Sequence, residues 1–332
     1  MQFIKRIDVR RGRAGKAATL GVSAAIAVIC LMSTLRAWSA LEVNDGASTT
    51  ETPGALVTLL AFQPERMVRI DTARMNLLCA EGLPGAPELD LQRCLTRLDD
   101  WANRVRQETE RHQYRFKRNP AEFEHSEAYF RMLCLVTVLH QDLGVGYSPN
   151  RAKPSEGAIE PNEVFFADSR DIFLHGLLGL NRTGTCASLP VLYIAVGRRL
   201  GYALKLVAAK NHLFVRWESE RERLNIEATT QGLTTFDDDY YRRWPFPMTP
   251  EEERTERYLT SLSPADELSV FLSLRTQCLL VAGRFKEALS CQEQVCRLAP
   301  HSPIQREILE QVKRRAQQQT QSKRNNQTAQ NL

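Results

Sequence analysis

Between Thr183 and Ala228 the chain switches from a helical period to a strand period, and this switch constrains the fold more than any other feature. TGTCASLPVLYIAVGRRLGY, Thr183 to Tyr202, is a small, flexible lead followed by an apolar helical segment that Gly201 closes. Three short runs rich in Val, Leu, Ile and aromatic residues come next: Ala203–Ala208, Leu213–Trp217 and Leu224–Ala228. Runs of that composition read as strands. One helix followed by an antiparallel meander predicts an α+β core, placed here at residues 146–250. With 332 residues, 43% hydrophobic and 25% charged, the chain has room for that core and a smaller module beside it.

The flanks are helical. Leu91, Cys94, Leu95, Leu98, Trp101 and Val105 recur at helix spacing, and Gly82 and Gly144 suit helix ends. Residues 61–145 therefore read as a helical region that packs without chemistry. A turn-rich loop, SPNRAKPSEGAIEPNEV, separates it from the segment that precedes Thr183. Residues 262–316 return to helical texture, and AGRFKEAL, with Gly283 at the turn and Ala288 at a close crossing, resembles a tetratricopeptide unit. One such unit cannot bury its own face, so it is expected to cap the core, with a partner protein as a second use of its surface. The tail, residues 317–332, lacks apolar periodicity and is expected to be disordered.

Charge location excludes a nucleic-acid partner. The chain carries 44 basic and 39 acidic residues, but seven and one of these lie in residues 1–36, which leaves 37 against 38. A basic binding face would need local patches, and none is apparent. The basic start precedes Ala17–Leu35, an uncharged apolar run. Residues 1–36 thus read as a membrane anchor or, with Ala37–Ser39 as a cleavage site, a secretory signal. Residues 37–60 read as a linker. Positive-inside orientation places everything beyond it outside the cytoplasm, as the extracytoplasmic part of a single-pass membrane protein or as a periplasmic or secreted one.

Eight cysteines are present, with no C-x-x-C and no zinc or haem spacing. Cys79 and Cys94 can pair in an oxidising compartment, and most others sit on apolar helical faces as packed thiols. Cys186 differs, because a helix N-terminus lowers a thiol pKa and makes it a better nucleophile. A nucleophile needs a base and the base an orienting partner. His212 begins HLFVRW and Glu227 ends LNIEA. A hairpin turning at ESER sets those two residues directly opposite, within reach of each other. Taken singly, the cysteine and the histidine are each more commonly structural residues; their joint occurrence with Glu227, in this order and on these elements, favours a site. His175, Asp168, Arg170 and Asp171 lie upstream, either shaping a cleft or supporting the start of the helix. Asn162 and Asn211 are candidate second oxyanion donors beside the Cys186 N–H. No phosphate loop, metal cluster or carboxylate pair is found, so neither cofactor nor metal is implied.

GTCASLPVLYIAVGRRLGY, KNHLFVRWE and NIEATTQG together resemble the transglutaminase-like superfamily, closest to a bacterial branch with a helical N-terminal region and a tetratricopeptide-like C-terminus. The resemblance implies a papain-like core in which a nucleophile helix packs on an antiparallel sheet. It implies Cys186 as nucleophile, His212 as general base and Glu227 as orienter, where many members have aspartate. Its chemistry is attack on an amide of a protein or peptide through a thioester, passed to water or an amine. A non-catalytic scaffold with a degenerate core is the alternative.

Overall fold

In the computed structural model residues 70–153 and 162–330 are described, and the N-terminal segment and linker lie outside them. Asp71 opens helix α1 (Thr72–Ala80) by accepting the Ala73 N–H at 3.0 Å, and Asp90 opens α2 (Leu91–Arg118) by accepting that of Arg93 at 2.9 Å. These side chains satisfy N–H groups that a helix start leaves free. On α2, Leu98, Trp101, Ala102 and Val105 are buried, a single stripe at the spacing read from the sequence. Ser126 caps α3 (Glu127–Thr137).

Helix α4 (Leu189–Arg199) is the centre of the molecule. Leu189, Val191, Leu192, Tyr193, Ile194 and Val196 are all wholly buried, so it has no solvated face over two turns. It packs against α1 and α2 on one side and against strands β3 (Leu204–Ala209) and β4 (His212–Glu218) on the other. Strands β5 (Arg223–Glu227) and β6 (Thr234–Thr235) complete an antiparallel sheet in the order β3-β4-β5-β6. Two residues at a time, β1 (Gly146–Tyr147) and β2 (Thr183–Gly184) pair in parallel just ahead of α4. Burial of β4 on both faces explains why HLFVRW does not alternate. Leu213 and Val215 join the α4 side, while Phe214 packs with Val207, Tyr241 and Leu259 on the other.

The hairpin register differs from the expectation. Glu218 pairs with Arg223 and Val215 with Ile226, so every partner is displaced by two residues. The loop is four residues long, closed by Ser219 N–H on the Glu222 carbonyl at 3.0 Å, and Ser219 Oγ accepts the Glu222 N–H at 3.1 Å. A two-residue loop would have needed positive φ at Ser219 and Glu220, which Asn or Gly supplies and these residues do not. Because the displacement is even, Glu227 keeps the same sheet face as His212.

Beyond the sheet, Ser263 and Asp266 form a reciprocal cap on helix α5 (Pro264–Val281). Gly283 (φ +70) turns the chain into α6 (Phe285–Leu298), on which Ala288 has no exposed surface, and α7 (Pro303–Gln330) follows. Leu268, Phe271, Leu272, Leu279 and Val295 share one apolar cluster with α1 and α4. Polar ties reinforce this contact. Arg275, buried, donates to the Cys79 and Glu81 carbonyls at 2.8 and 2.7 Å. Arg198 on α4 pairs with Glu267 at 2.6 Å, and Thr72 donates to the same carboxylate at 2.8 Å. Glu267 is fully buried while Arg198 is 30% exposed, so Glu267→Ala strands a cation that can partly rehydrate. Its expected cost is about 3 kcal/mol, at the low end for a broken buried pair. Thermal or denaturant unfolding measures it, and a loss below about 1 kcal/mol contradicts the tie.

Two further expectations are corrected. The tail 317–332 is expected to be disordered, but its residues 317–330 continue α7 as a helix. Its Gln, Lys, Arg and Ala residues are good helix formers with no Gly, and Pro stands only at its first position, so the helix propagates without an apolar stripe to guide it. Cys79 and Cys94, offered as a disulfide, are free thiols, Cys79 wholly buried and Cys94 partly so. Among the described residues no helix is long and apolar enough to cross a membrane; the run Ala17–Leu35 lies outside them.

Candidate active site

Cys186 sits in a turn, Cys186–Ser188, that runs directly into α4. The helical ladder already begins at Thr185, whose carbonyl accepts the Leu189 N–H at 3.0 Å. Two hydroxyls build the turn. The Thr185 N–H donates to Ser188 Oγ at 3.0 Å and the Ala187 N–H to Thr185 Oγ1 at 3.2 Å. Both hydroxyls then donate to the Asp171 carbonyl, at 2.8 and 3.0 Å. Gly184 is required here: a Cβ would stand 2.4 Å from Ser188 Oγ. Among the described residues the Cys186 backbone N–H has no backbone acceptor, as befits the first turn of a helix.

The upstream polar residues are supports for that turn. Asp171 contributes its carbonyl and pairs its carboxylate with Arg151 at 2.9 Å. Asp168 caps the short helix Ser169–Ile172 and pairs with Arg170. His175 meets Ser169 Oγ at 3.2 Å, and burial lowers its pKa to about 4, so the ring is neutral.

His212 opens β4 after a two-residue turn that Asn211 (φ +55) closes. Its side chain and that of Glu227 are both fully buried, and His212 Nε2 lies 2.8 Å from Glu227 Oε2. Nδ1 makes no formed hydrogen bond, and the Cys186 side chain lies close enough to the ring to interact with it. A catalytic contact that is long in the free enzyme and tightens on substrate has this character. The three residues singled out in the sequence are thus brought together, in the order thiol, imidazole, carboxylate. Asn162 and Asn211 are exposed, and Asn211 is accounted for by its turn.

The register explains why the third residue is glutamate. Glu227 stands diagonally to His212, two residues out of direct opposition. Diagonal pairs are spaced about 7–8 Å apart, within reach of long side chains only. The carboxylate is then held at both oxygens. Oε1 accepts the Thr229 N–H at 2.9 Å and the Thr229 hydroxyl at 2.5 Å. Oε2 accepts the Tyr241 hydroxyl at 3.3 Å beside the His212 ring. Trp244 meets the His212 ring edge to face at 4.9 Å, and Tyr241 stacks on Phe214 at 3.8 Å.

Burial works against charge on both partners, and their attraction overcomes it. For His212, desolvation pulls the pKa down, but the Glu227 carboxylate and its hydrogen bond, with the neighbouring Cys186 side chain, raise it to about 10. For Glu227, desolvation pulls upward, but the His212 charge and the bonds from His212 and Thr229 hold it below the usual carboxylate range. Both directions favour an imidazolium–carboxylate pair.

Thr229, Tyr241 and Trp244 were not singled out from the sequence. Thr229 had a local signal, a hydroxyl two residues after a carboxylate, as in side-chain turns. Tyr241 and Trp244 had only their place in the aromatic run YYRRWPF.

A family model described as the transglutaminase-like superfamily matches residues 92–272, from α2 through the sheet into α5. Neither a curated protein nor a solved structure gave a match. With more than half of its length matched, and a helix-led cysteine beside a histidine and a carboxylate on an antiparallel sheet, the chain belongs to the transglutaminase-like superfamily.

Proposed function

We propose that the protein is a cysteine hydrolase or transamidase that acts on amide bonds of proteins or peptides through a thioester on Cys186. The observation that carries this reading is the His212–Glu227 bond with the Cys186 side chain close enough to the same ring to act on it. Glu227 favours the doubly protonated ring, so the proton that His212 gains comes from Cys186 Sγ. The sulfur attacks the amide carbonyl, a C–S bond forms, and the oxyanion lies toward the Cys186 N–H. Collapse breaks the C–N bond, and His212 gives its proton to the leaving amine or ammonia. Water or an amine then attacks the thioester carbonyl, passing a proton to His212 as the C–S bond breaks and the thiol is restored.

Two parts of the reading rest on sequence. The basic start and the apolar run Ala17–Leu35 support a membrane tether with the reaction outside the cytoplasm. AGRFKEAL, with Gly283 at the turn and Ala288 on the helix after it, supports a tetratricopeptide-like hairpin of α5 and α6 that caps the core. Acid quenching during turnover of a glutamine-containing peptide tests the chemistry. The acyl group should remain on Cys186 by mass; an unmodified Cys186 under active turnover overturns the thioester.

A further inference from the structure

We infer that Tyr241 is a positioning residue of this site: its hydroxyl shares Glu227 Oε2 with the His212 ring and sets how tightly that carboxylate holds the ring's proton. The inference rests on the Cys186–His212–Glu227 reading and adds a residue to it.

The ring of Tyr241 would pack as well without its hydroxyl. It is wholly buried, stacked on Phe214 at an interplanar angle of 6° and edge-on to Phe236 and Tyr240. A buried hydroxyl is costly unless it finds an acceptor. The acceptor here is a carboxylate oxygen whose other donor is the candidate base. Burial and the neighbouring Glu227 charge push the phenol pKa well above its ordinary value, so it stays a neutral donor. Thr229 fixes Oε1, which keeps the carboxylate from swinging to satisfy Tyr241 and His212 separately. At 3.3 Å the phenol bond is longer than a strong O–H···O contact. It therefore trims the charge on Oε2 without competing the imidazole away.

The groups that face the pair come from several elements. Cys186 faces His212 from the turn before α4, and Tyr193 of α4 senses the Glu227 charge. Tyr240 senses it from the short helix that also bears Tyr241, and Arg216 of β4 acts on Tyr241. Of these phenols, Tyr241 is the one with a hydrogen bond to Glu227.

Removing the hydroxyl makes the carboxylate more basic, so the His212 ring should keep its proton to higher pH. The test is a titration of the full chain carrying ¹⁵N-histidine, with the His212 ring signals assigned by their loss in His212→Gln. Tyr241→Phe is expected to move the His212 titration upward by about half a pH unit. Site-specific difluorotyrosine at 241, a stronger donor on the same ring, is expected to move it downward. With a glutamine-containing peptide, Tyr241→Phe should change kcat and leave KM in place. An unshifted or oppositely shifted His212 titration in a folded Tyr241→Phe protein overturns the inference and leaves the hydroxyl a packing detail. If the variant fails to fold, the difluorotyrosine protein decides: a downward shift of the His212 titration supports the inference, and an absent or upward shift overturns it. Because the titration needs no turnover, an inert Cys186 would refute the proposed function while leaving this result readable.

Discussion

Serine in place of Cys186 is expected to lower amide turnover by about three orders of magnitude or more, as removal of a nucleophile does in enzymes whose groups act as a unit. The serine hydroxyl fits the same space, and the turn does not depend on the thiol. Thr185, Ser188 and the Asp171 carbonyl hold it through four hydrogen bonds, none of which involves the Cys186 side chain. Stability should therefore change by no more than about 0.5 kcal/mol. What is lost is chemical: an alcohol gives up its proton far less readily than a thiol, and the His212–Glu227 pair can accept the proton of a thiol but not readily that of an alcohol. Peptide amide hydrolysis, or incorporation of an amine into the same peptide, measures the effect. A serine variant that retains a tenth of wild-type turnover would place the chemistry elsewhere.

The second large effect is expected at Glu227, where length matters as much as charge. Glu227→Asp restores the residue that many family members carry, yet it should be damaging here. One methylene withdraws the carboxylate by about 1.5 Å. The 2.8 Å bond to His212 then exceeds hydrogen-bonding distance, unless the strand moves. A misplacement of about 1 Å in a supporting group can cost 10²-fold in rate. Glu227→Gln keeps the reach and loses the charge, and it should weaken activity less than Cys186→Ser, because an orienter acts through the base.

The same substitution has a stability signature. The raised His212 pKa contributes stability that is complete below its ordinary value of 6.5 and is lost as pH climbs toward about 10. The lowered Glu227 pKa contributes stability that is present above its ordinary value of 4.5 and is lost as pH falls. The pair therefore stabilises the fold most between those two values, and Glu227→Gln should flatten the fall in unfolding free energy above pH 6.5. A wild-type protein equally stable at pH 6 and pH 10, with the variant parallel to it, would contradict the assignment of charge.

Much of the site was legible because its chemistry lies on consecutive elements. Cys186, His212 and Glu227 occur in chain order on a helix start and two neighbouring strands, so periodicity and residue type sufficed to bring them together. The pairing register was not legible. It depends on how Ser219–Glu222 close the hairpin, and an even displacement leaves the hydrophobic pattern of both strands unchanged. Tyr241 and Trp244 reach the pair by the path of the chain after β6, which leaves no periodic trace. The tie between Arg198 and Glu267 spans 69 residues and joins α4 to a segment that reads as a separate cap. Residues 317–330 show the opposite failure: the absence of an apolar stripe reads as disorder, while local propensity alone sustains the helix.

The most direct measurement is the rate at which a neutral haloacetamide alkylates Cys186, read by mass spectrometry across pH in the wild type, His212→Ala and Glu227→Gln. Near pH 6 Cys186 is expected to react faster than an exposed model thiol, His212→Ala to remove this advantage, and Glu227→Gln to reduce it. A wild-type Cys186 no faster than the model thiol, or one indifferent to His212, would show that Cys186 is not an activated nucleophile and leave a scaffold with a packed cysteine.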